Sequence, residues 1–360
     1  MTKKSVNKEG VTKGGVPKKG EVKKDTAKAG AGYIITTSPH IHTEDSIPRV
    51  MYSVVIALVP AMIVSILFFG KAAIIIYCLS IVSCLACEAI AQKIMGRPIT
   101  ITDGSILVTA ILFAMNIPPS SPWWLVVLGS VIAVVLGKQI YGGLGYNPFN
   151  PVLVARIVLL ISFPVQMTSW VKPAPLFSGA DLVSIATPLG EIKTELMLKG
   201  AIDLSRYNYL DFTTGFMGGS MGEMSVLALL LGAAFLLFRK YITWHIPAGF
   251  IGTVFVMTGI FWLVDPTRYA NPIFHVLAGG LVLGAFFMAT DMVTSPVYPK
   301  GKIVFGIGCG VITVVIRLFG GYPEGVAFSI LLMNATTPII DRYTVPRKFG
   351  YVKIDEAAAD

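Results

Sequence analysis

Residues 50–91 read VMYSVVIALVPAMIVSILFFGKAAIIIYCLSIVSCLACEAIA. Lys71 and Glu88 are the only charged residues in it, and Gly70-Lys71 divides it into apolar runs at 50–69 and 72–91. Each run has the ~20 residues that a helix needs to cross a bilayer. Both are continuously apolar, whereas a barrel strand would alternate with period two. The pattern recurs at 104–118, 123–141 and 152–166, and again at 224–238, 241–264, 272–290, 303–319 and 325–340. Several of these later runs are shorter, or interrupted by Gly and Pro. Of the 360 residues, 54% are hydrophobic and 14% charged, and the mean hydropathy is +0.72. Soluble domains run nearer 45–50% apolar and about 25% charged. A soluble enzyme, a nucleic-acid binder and a disordered chain are thereby excluded. The sequence predicts an all-α polytopic membrane protein of about ten transmembrane helices.

Outside the spans, charge is unevenly placed. Residues 1–30 hold nine lysines against Glu9, Glu21 and Asp25, so +6 of the net +9 sits in this arm. The arm lacks aromatics and is rich in Gly, Lys and Thr, a composition that cannot offset the entropy of ordering. It is too long and polar for a secretory signal. Its simplest role is topological; attraction to anionic lipid or to a partner protein is secondary. With the N-terminus inside, 21 Lys and Arg fall on the cytoplasmic side and 7 on the outer side, with Arg156 left in a span. The positive-inside rule then puts both termini in the cytoplasm. The expected organisation is a disordered arm (1–45), a five-helix half (46–166), an outer loop (167–223), a second five-helix half (224–341) and a cytoplasmic tail (342–360). Gly145-Tyr146 and Gly321-Tyr322 lie 176 residues apart, and Phe113-Ala114-Met115-Asn116 parallels Phe287-Met288-Ala289-Thr290-Asp291. Five spans are an odd number, so the second copy must insert upside down. Such inverted repeats place sites between the halves, where broken helices expose backbone polar groups.

The outer loop is too long for a turn, and long loops in compact proteins tend to be functional. It contains Asp181-Leu182-Val183-Ser184-Ile185-Ala186-Thr187-Pro188-Leu189. Taken alone this is a loop with helix-cap chemistry, in which Pro188 biases Thr187 towards extended geometry and an outward hydroxyl. A threonine hydroxyl reacts only when a base, a metal or a second enzyme activates it. The segment resembles the flavinylation motif of the RnfD/NqrB family, the membrane flavoprotein subunits of Rnf-type ferredoxin:NAD oxidoreductases and Na-translocating NADH:quinone reductases. The resemblance runs through all ten spans. It implies FMN joined through a phosphoester to Thr187 by a separate flavin transferase. Ser184 and Ala186 occupy motif positions, Asp181 is the upstream acid, and Ile185 departs from the small residue often found there.

A second stretch, Gly142-Gly143-Leu144-Gly145-Tyr146-Asn147-Pro148-Phe149-Asn150-Pro151, breaks one span from the next. Two asparagines leading into an apolar helix need partners for their amides. The stretch is similar to one that lines a non-covalent riboflavin in NqrB-like proteins, which assigns Asn147 and Asn150 to that cofactor. A capped helix start is the competing reading. Charge within a bilayer usually faces a bundle interior or an aqueous cavity, which singles out Glu88, Asp103, Arg156, His275, Asp291 and Arg317. Asp103 and Asp291 sit at opposite ends of equivalent broken spans and could line an ion path or hold flavin polar groups. Arg156 could offset electron density on a reduced flavin or pair with a carboxylate of a neighbouring subunit; structural ion pairs are the plainer reading. Cys78, Cys84, Cys87 and Cys309 read as free apolar cysteines rather than cluster ligands, and no other metal site is expected. With no CxxC…CxxC, P-loop, GxGxxG-plus-acid or HExxH constellation, binding of NAD or ferredoxin falls to partners.

The resemblance implies a component of an ion-translocating (Na⁺ or H⁺) ferredoxin:NAD⁺ oxidoreductase in the bacterial inner membrane. It would work beside a second flavinylated subunit, iron–sulfur subunits and membrane lipid, and would not be catalytic alone. Chain length and the Ser-x-Ala-Thr-Pro-Leu form favour the RnfD type over the NqrB type of the Na⁺-translocating NADH:quinone reductase. A secondary transporter or channel without redox cofactor accounts for the spans but not for the loop motif, and an assembly scaffold is a third reading.

Overall fold

The computed structural model describes residues 45–173, 184–204, 206–215 and 218–346. Most of the Lys-rich arm, Asp181 and the last residues of the tail lie outside them. Helix α1 (Ile47–Phe69) starts at Ser46, whose Oγ accepts the Arg49 N–H at 3.4 Å, and ends at Gly70, φ 57°. Helix α2 (Lys71–Ile94) follows directly. Helix α3 (Ser105–Met115) is short because Pro118, Pro119 and Pro122 follow it. Helix α4 (Trp123–Val131) continues into a π-helical stretch, Ile132–Gln139. Helix α5 (Pro151–Ser162) is capped by Asn150, and α6 (Pro164–Met167) is a single turn.

The loop then pairs Trp170–Val171 (β1) with Ser184–Ile185 (β2), antiparallel, with Trp170 opposite Ile185. Helices α7 (Pro188–Lys199) and α8 (Tyr209–Thr214) complete it. The second half comprises α9 (Val226–Phe238), α10 (His245–Val264), α11 (Pro272–Leu277), α12 (Leu281–Leu283) running into a π-helical turn at Gly284–Met288, α13 (Pro299–Phe319) and α14 (Val326–Thr344). The apolar run 272–290 is thus broken at Ala278–Gly280, and Gly279, φ 72°, makes the break.

Among the described residues, four helices, α1, α2, α10 and α13, are long and apolar enough to cross a membrane, and α3, α4 with its π extension, α5 and α9 are shorter apolar helices. Small residues let them pack closely, as membrane helices do. A Cβ on Gly232 of α9 would lie 1.9 Å from the Ala57 carbonyl of α1, and one on Gly306 of α13 would lie 2.7 Å from the Ile246 carbonyl of α10. The outward faces carry exposed Ile56, Ile63, Val82, Leu231 and Val256. So much contiguous apolar surface suits lipid rather than water. The fold is that of a polytopic helical membrane protein. Its central core includes Phe113, Met115, Phe287 and Met288, so the tips of both broken segments are buried together.

Candidate functional site

Pro188 at the first position of α7 holds Thr187 extended (φ −72°, ψ 152°), as the sequence predicts. The hydroxyl does not project into open solvent, however. Thr187 is half-buried, and its Oγ1 accepts the Gly190 N–H at 3.1 Å as the N-cap of α7. The β1–β2 pair sets the preceding residues, and Ile185 packs against Gly218, where a Cβ would lie 2.6 Å from Ile185 Cδ1. Ala186 is exposed between them. Helix α7 is anchored by Leu189 and Ile192, which are buried with Phe212 and Phe274. Lys193 Nζ donates to the Tyr322 carbonyl at 2.9 Å, reaches the Ile316 and Arg317 carbonyls at 3.5 Å and contacts that of Gly320. These carbonyls belong to and follow the last turn of α13, where a cation is favoured by the helix dipole.

Thr187 opens onto a cavity of about 920 Å³, open solvent included, lined among others by Arg156, Trp170, Glu223, Tyr322, Glu324 and Phe328. The Tyr322 and Phe328 rings stack with centroids 5.2 Å apart. Arg156 Nη2 lies 2.7 Å from Glu324 Oε2 and 3.7 Å from Glu223 Oε1. Arg156 therefore pairs with carboxylates of its own chain. Glu223 Oε1 also accepts the Ser220 hydroxyl at 2.7 Å. Burial, together with the Glu324 carboxylate, pushes Glu223 up to about 7 against the opposing pull of Arg156. Glu324 Oε1 accepts the Gly280 N–H at the start of α12, while Arg317 donates to the His275 and Ala278 carbonyls at the end of α11. The break in the 272–290 segment thus has a carboxylate at its exposed N–H end and a guanidinium at its exposed carbonyl end.

A second cavity of about 830 Å³ is lined among others by Ser105, Lys138, Asn147, Asn150, Tyr241 and Asp291. Asn150 both caps α5, accepting the Val152 N–H at 3.1 Å, and donates to the Met288 carbonyl at 3.3 Å. Asn147 donates to the Phe149 carbonyl at 3.0 Å. The capped helix start is therefore present, and both amides also border the cavity. Asp291 accepts from the Val293 N–H and the Thr294 hydroxyl. Asp103 does not line this cavity directly; its Oδ1 accepts from the Ser105 N–H and hydroxyl, and Ser105 Oγ accepts Lys138 Nζ at 2.8 Å.

Lys138, counted from sequence among the cytoplasmic loop cations, is 2% exposed and paired with Glu88 at 2.8 Å. Glu88 Oε1 also accepts from Gln92 and Gln139, whereas Glu88 Oε2 and Gln139 Oε1 have no partner among the described residues. A series of contacts through Met288 runs between the two cavities. Arg156 Nη1 donates to Asn116 Oδ1 at 2.5 Å, Asn116 Nδ2 lies 3.9 Å from Met288 Sδ, and the Met288 carbonyl accepts Asn150. Sequence reasoning missed Glu223, Glu324 and Lys193, which sit among other loop charges. The signal for Lys138 was a lysine within the apolar run 123–141, matching the lone Glu88 in the run 72–91.

The first cavity combines an aromatic stack, the Thr187 hydroxyl and a guanidinium paired with two carboxylates, a set that fits an aromatic ring tethered at Thr187. The second offers amide donors and acceptors, several hydroxyls, the Lys138 ammonium and one acid, which fits a heterocycle with carbonyl and N–H edges.

Residues 34–350 match the family model described as NQR2, RnfD, RnfE. The D subunit of the proton-translocating ferredoxin:NAD⁺ oxidoreductase complex of Clostridium ljungdahlii is 44% identical over 326 residues, 88% of this chain and 96% of that protein. The D subunit of the Na⁺-translocating ferredoxin:NAD⁺ oxidoreductase complex of Acetobacterium woodii is 45% identical over 327 residues, 90% of this chain and 97% of that protein. The D subunit of an ion-translocating oxidoreductase complex of Stutzerimonas stutzeri is 43% identical over 327 residues, 85% and 92% of the two chains. With a family match across nearly all of its apolar segments and full-length relatives above 40% identity, this chain belongs to the NQR2, RnfD, RnfE family.

Proposed function

We propose that the chain is the RnfD component of an ion-translocating ferredoxin:NAD⁺ oxidoreductase complex and carries electrons across its part of the membrane through two flavins. FMN is held through a phosphoester on Thr187, and riboflavin sits without a covalent bond in the cavity of Asn147 and Asn150. The isoalloxazine supplies the redox chemistry when bound; the protein binds, orients and electrostatically tunes it. The observation that carries this reading is the placement of Thr187. The motif hydroxyl stands at the rim of a cavity with a stacked Tyr322–Phe328 pair and a guanidinium that is already committed to two carboxylates.

Ser184 and Ala186 set the approach to Thr187, and Asp181 is the upstream acid of the motif. In the second cavity, Lys138 and Asp291 flank the asparagines, and Asp103 acts through Ser105. The ten apolar segments form two inverted five-helix halves with both termini in the cytoplasm and the Thr187 loop on the outer face of the bacterial inner membrane. Iron–sulfur subunits and a second flavinylated subunit deliver and remove electrons, and a flavin transferase matures Thr187. The coupling ion is Na⁺ or H⁺. Relatives of nearly equal identity are named for different ions, so the choice rests on local residues rather than overall likeness.

The test is in-gel fluorescence after denaturation of chain produced with the flavin transferase. A fluorescent band that disappears in Thr187→Val, with a mass increment on the peptide containing residues 184–189, supports the reading. A dark band from transferase-containing cells refutes it and leaves a transporter without redox cofactor.

A further inference from the structure

Arg156, Glu223 and Glu324 line the Thr187 cavity, and Arg317 stands just behind Gly279, its Nη2 3.1 Å from where a Cβ on that residue would lie, so the formal charges of the four groups cancel. Glu324 is fixed at both oxygens, by Arg156 Nη2 at 2.7 Å and by the Gly280 N–H. Glu223 lies farther from the same guanidinium, at 3.7 Å, with the Ser220 hydroxyl 2.7 Å from its Oε1. Both carboxylates approach one point, for a Cβ on Gly280 would lie 2.7 Å from Glu324 Oε1 and 3.4 Å from Glu223 Oε1. One guanidinium between two such neighbours leaves the more distant carboxylate the weaker ion-pairing partner and the easier to protonate. The hydroxyl of Ser220 donates to a carboxylate and, by rotating, accepts from a carboxylic acid. Glu223 can therefore change protonation state without moving.

Among the described residues, α7 and α8 border the cavity through Pro188, Leu189 and Phe212, with Lys193 tied to carbonyls at and beyond the end of α13 and Glu191 to the Tyr207 hydroxyl. Helix α5 contributes Arg156, α13 contributes Arg317, and the segment before α14 contributes Tyr322 and Glu324. Helix α11 contributes His275, whose backbone carbonyl accepts from Arg317. Helix α3 brings Met115 and Asn116. Helix α1 has no charged residue beyond Arg49 in its first turn, and α9, which follows Glu223, has none.

We infer that Glu223 is the proton-exchange group of this cavity, taking up one proton when one electron reaches the ring carried on Thr187. The inference rests on the Thr187 assignment above. The electron comes from the reduced iron–sulfur partners, and the proton comes from water at the cavity mouth. An O–H bond forms on Glu223, and the four-charge cluster passes from neutral to +1 while the ring gains one negative charge. On reoxidation the electron leaves to the next carrier, the O–H bond breaks, and the proton returns to water. An added electron in a low-dielectric pocket is thus met by a compensating charge beside it.

The test is potentiometric titration of the full chain bearing covalent flavin, with the flavin spectrum as readout, at a series of pH values across neutrality. The number of protons taken up with the first electron, read from the slope of that step's midpoint potential against pH, is expected to fall by one in Glu223→Gln. An unchanged proton count on the flavin-carrying protein overturns the inference. The unsubstituted protein provides an independent reading that needs no variant to fold. Its reduced-minus-oxidised infrared difference spectrum should gain a protonated-carboxyl C=O band that shifts in D₂O, and absence of that band also overturns the inference. Loss of covalent flavin from the unsubstituted chain would remove the Thr187 assignment and this inference together. A normal flavin load without the proton or the band would remove the inference alone.

Discussion

Replacing Lys193 by methionine is expected to loosen α7 while leaving the membrane helices intact. The ammonium is the polar tie between α7 and the end of α13, touching the carbonyls of Ile316, Arg317, Gly320 and Tyr322. Three N–H groups serve these four acceptors, so the interaction is one shared set rather than four independent bonds. A hydrogen bond to a charged group contributes about 1.5–3 kcal/mol net, and Lys193 is only half-buried, so the set as a whole is taken at that value. The apolar anchors Leu189 and Ile192 remain in place, so α7 should not detach. At about 1.4 kcal/mol per tenfold, the open population of α7 should rise about 10- to 100-fold. Amide hydrogen exchange measures this directly. Amides of residues 191–199 should exchange faster in Lys193→Met by that factor, and amides within α10 should not change. Exchange in α7 within about threefold of the parent would show that the apolar contacts alone hold the helix, and that the α13 terminus does not register Thr187 over its cavity.

The Glu88–Lys138 pair should respond asymmetrically. Lys138→Met strands a carboxylate that also serves Gln92 and Gln139, and should cost about 3–5 kcal/mol. The double variant Glu88→Leu/Lys138→Met should recover most of that loss in thermal unfolding in detergent. Equal destabilisation by the single and double variants would show that the charge pairing is not what matters there. Two glycines should behave oppositely. Gly232→Ala places a methyl 1.9 Å from the Ala57 carbonyl and should cost about 1–3 kcal/mol by forcing α1 and α9 apart. Gly252→Ala in α10 meets open space and should be neutral or stabilising by up to about 1 kcal/mol in the same assay.

The helical segments and their caps were legible because both are local. An apolar run long enough to cross lipid must satisfy its own backbone, which leaves a helix as the outcome for 50–69 and 72–91. Pro188 after Thr187 and Pro151 after Asn150 likewise mark helix starts, and both caps are present. The motif drew attention to Thr187 from a few adjacent letters. Its surroundings were not legible in the same way. Thr187 faces a cavity built from β1, α5, the turn before α9 and the segment before α14, and no local pattern encodes that convergence.

What the chain's own order of residues determined, then, was the helical membrane architecture, the broken segments and the residue that stands at the rim. What only tertiary closure decided was which charges meet. Lys138 left the loop count because Glu88, 50 positions earlier, lies against it, and Arg156 found Glu324 168 positions later. Apolar periodicity and cap chemistry act within a few residues and are written in sequence. The energy of a buried ion depends on distance and dielectric, and both are set only when remote helices pack around it.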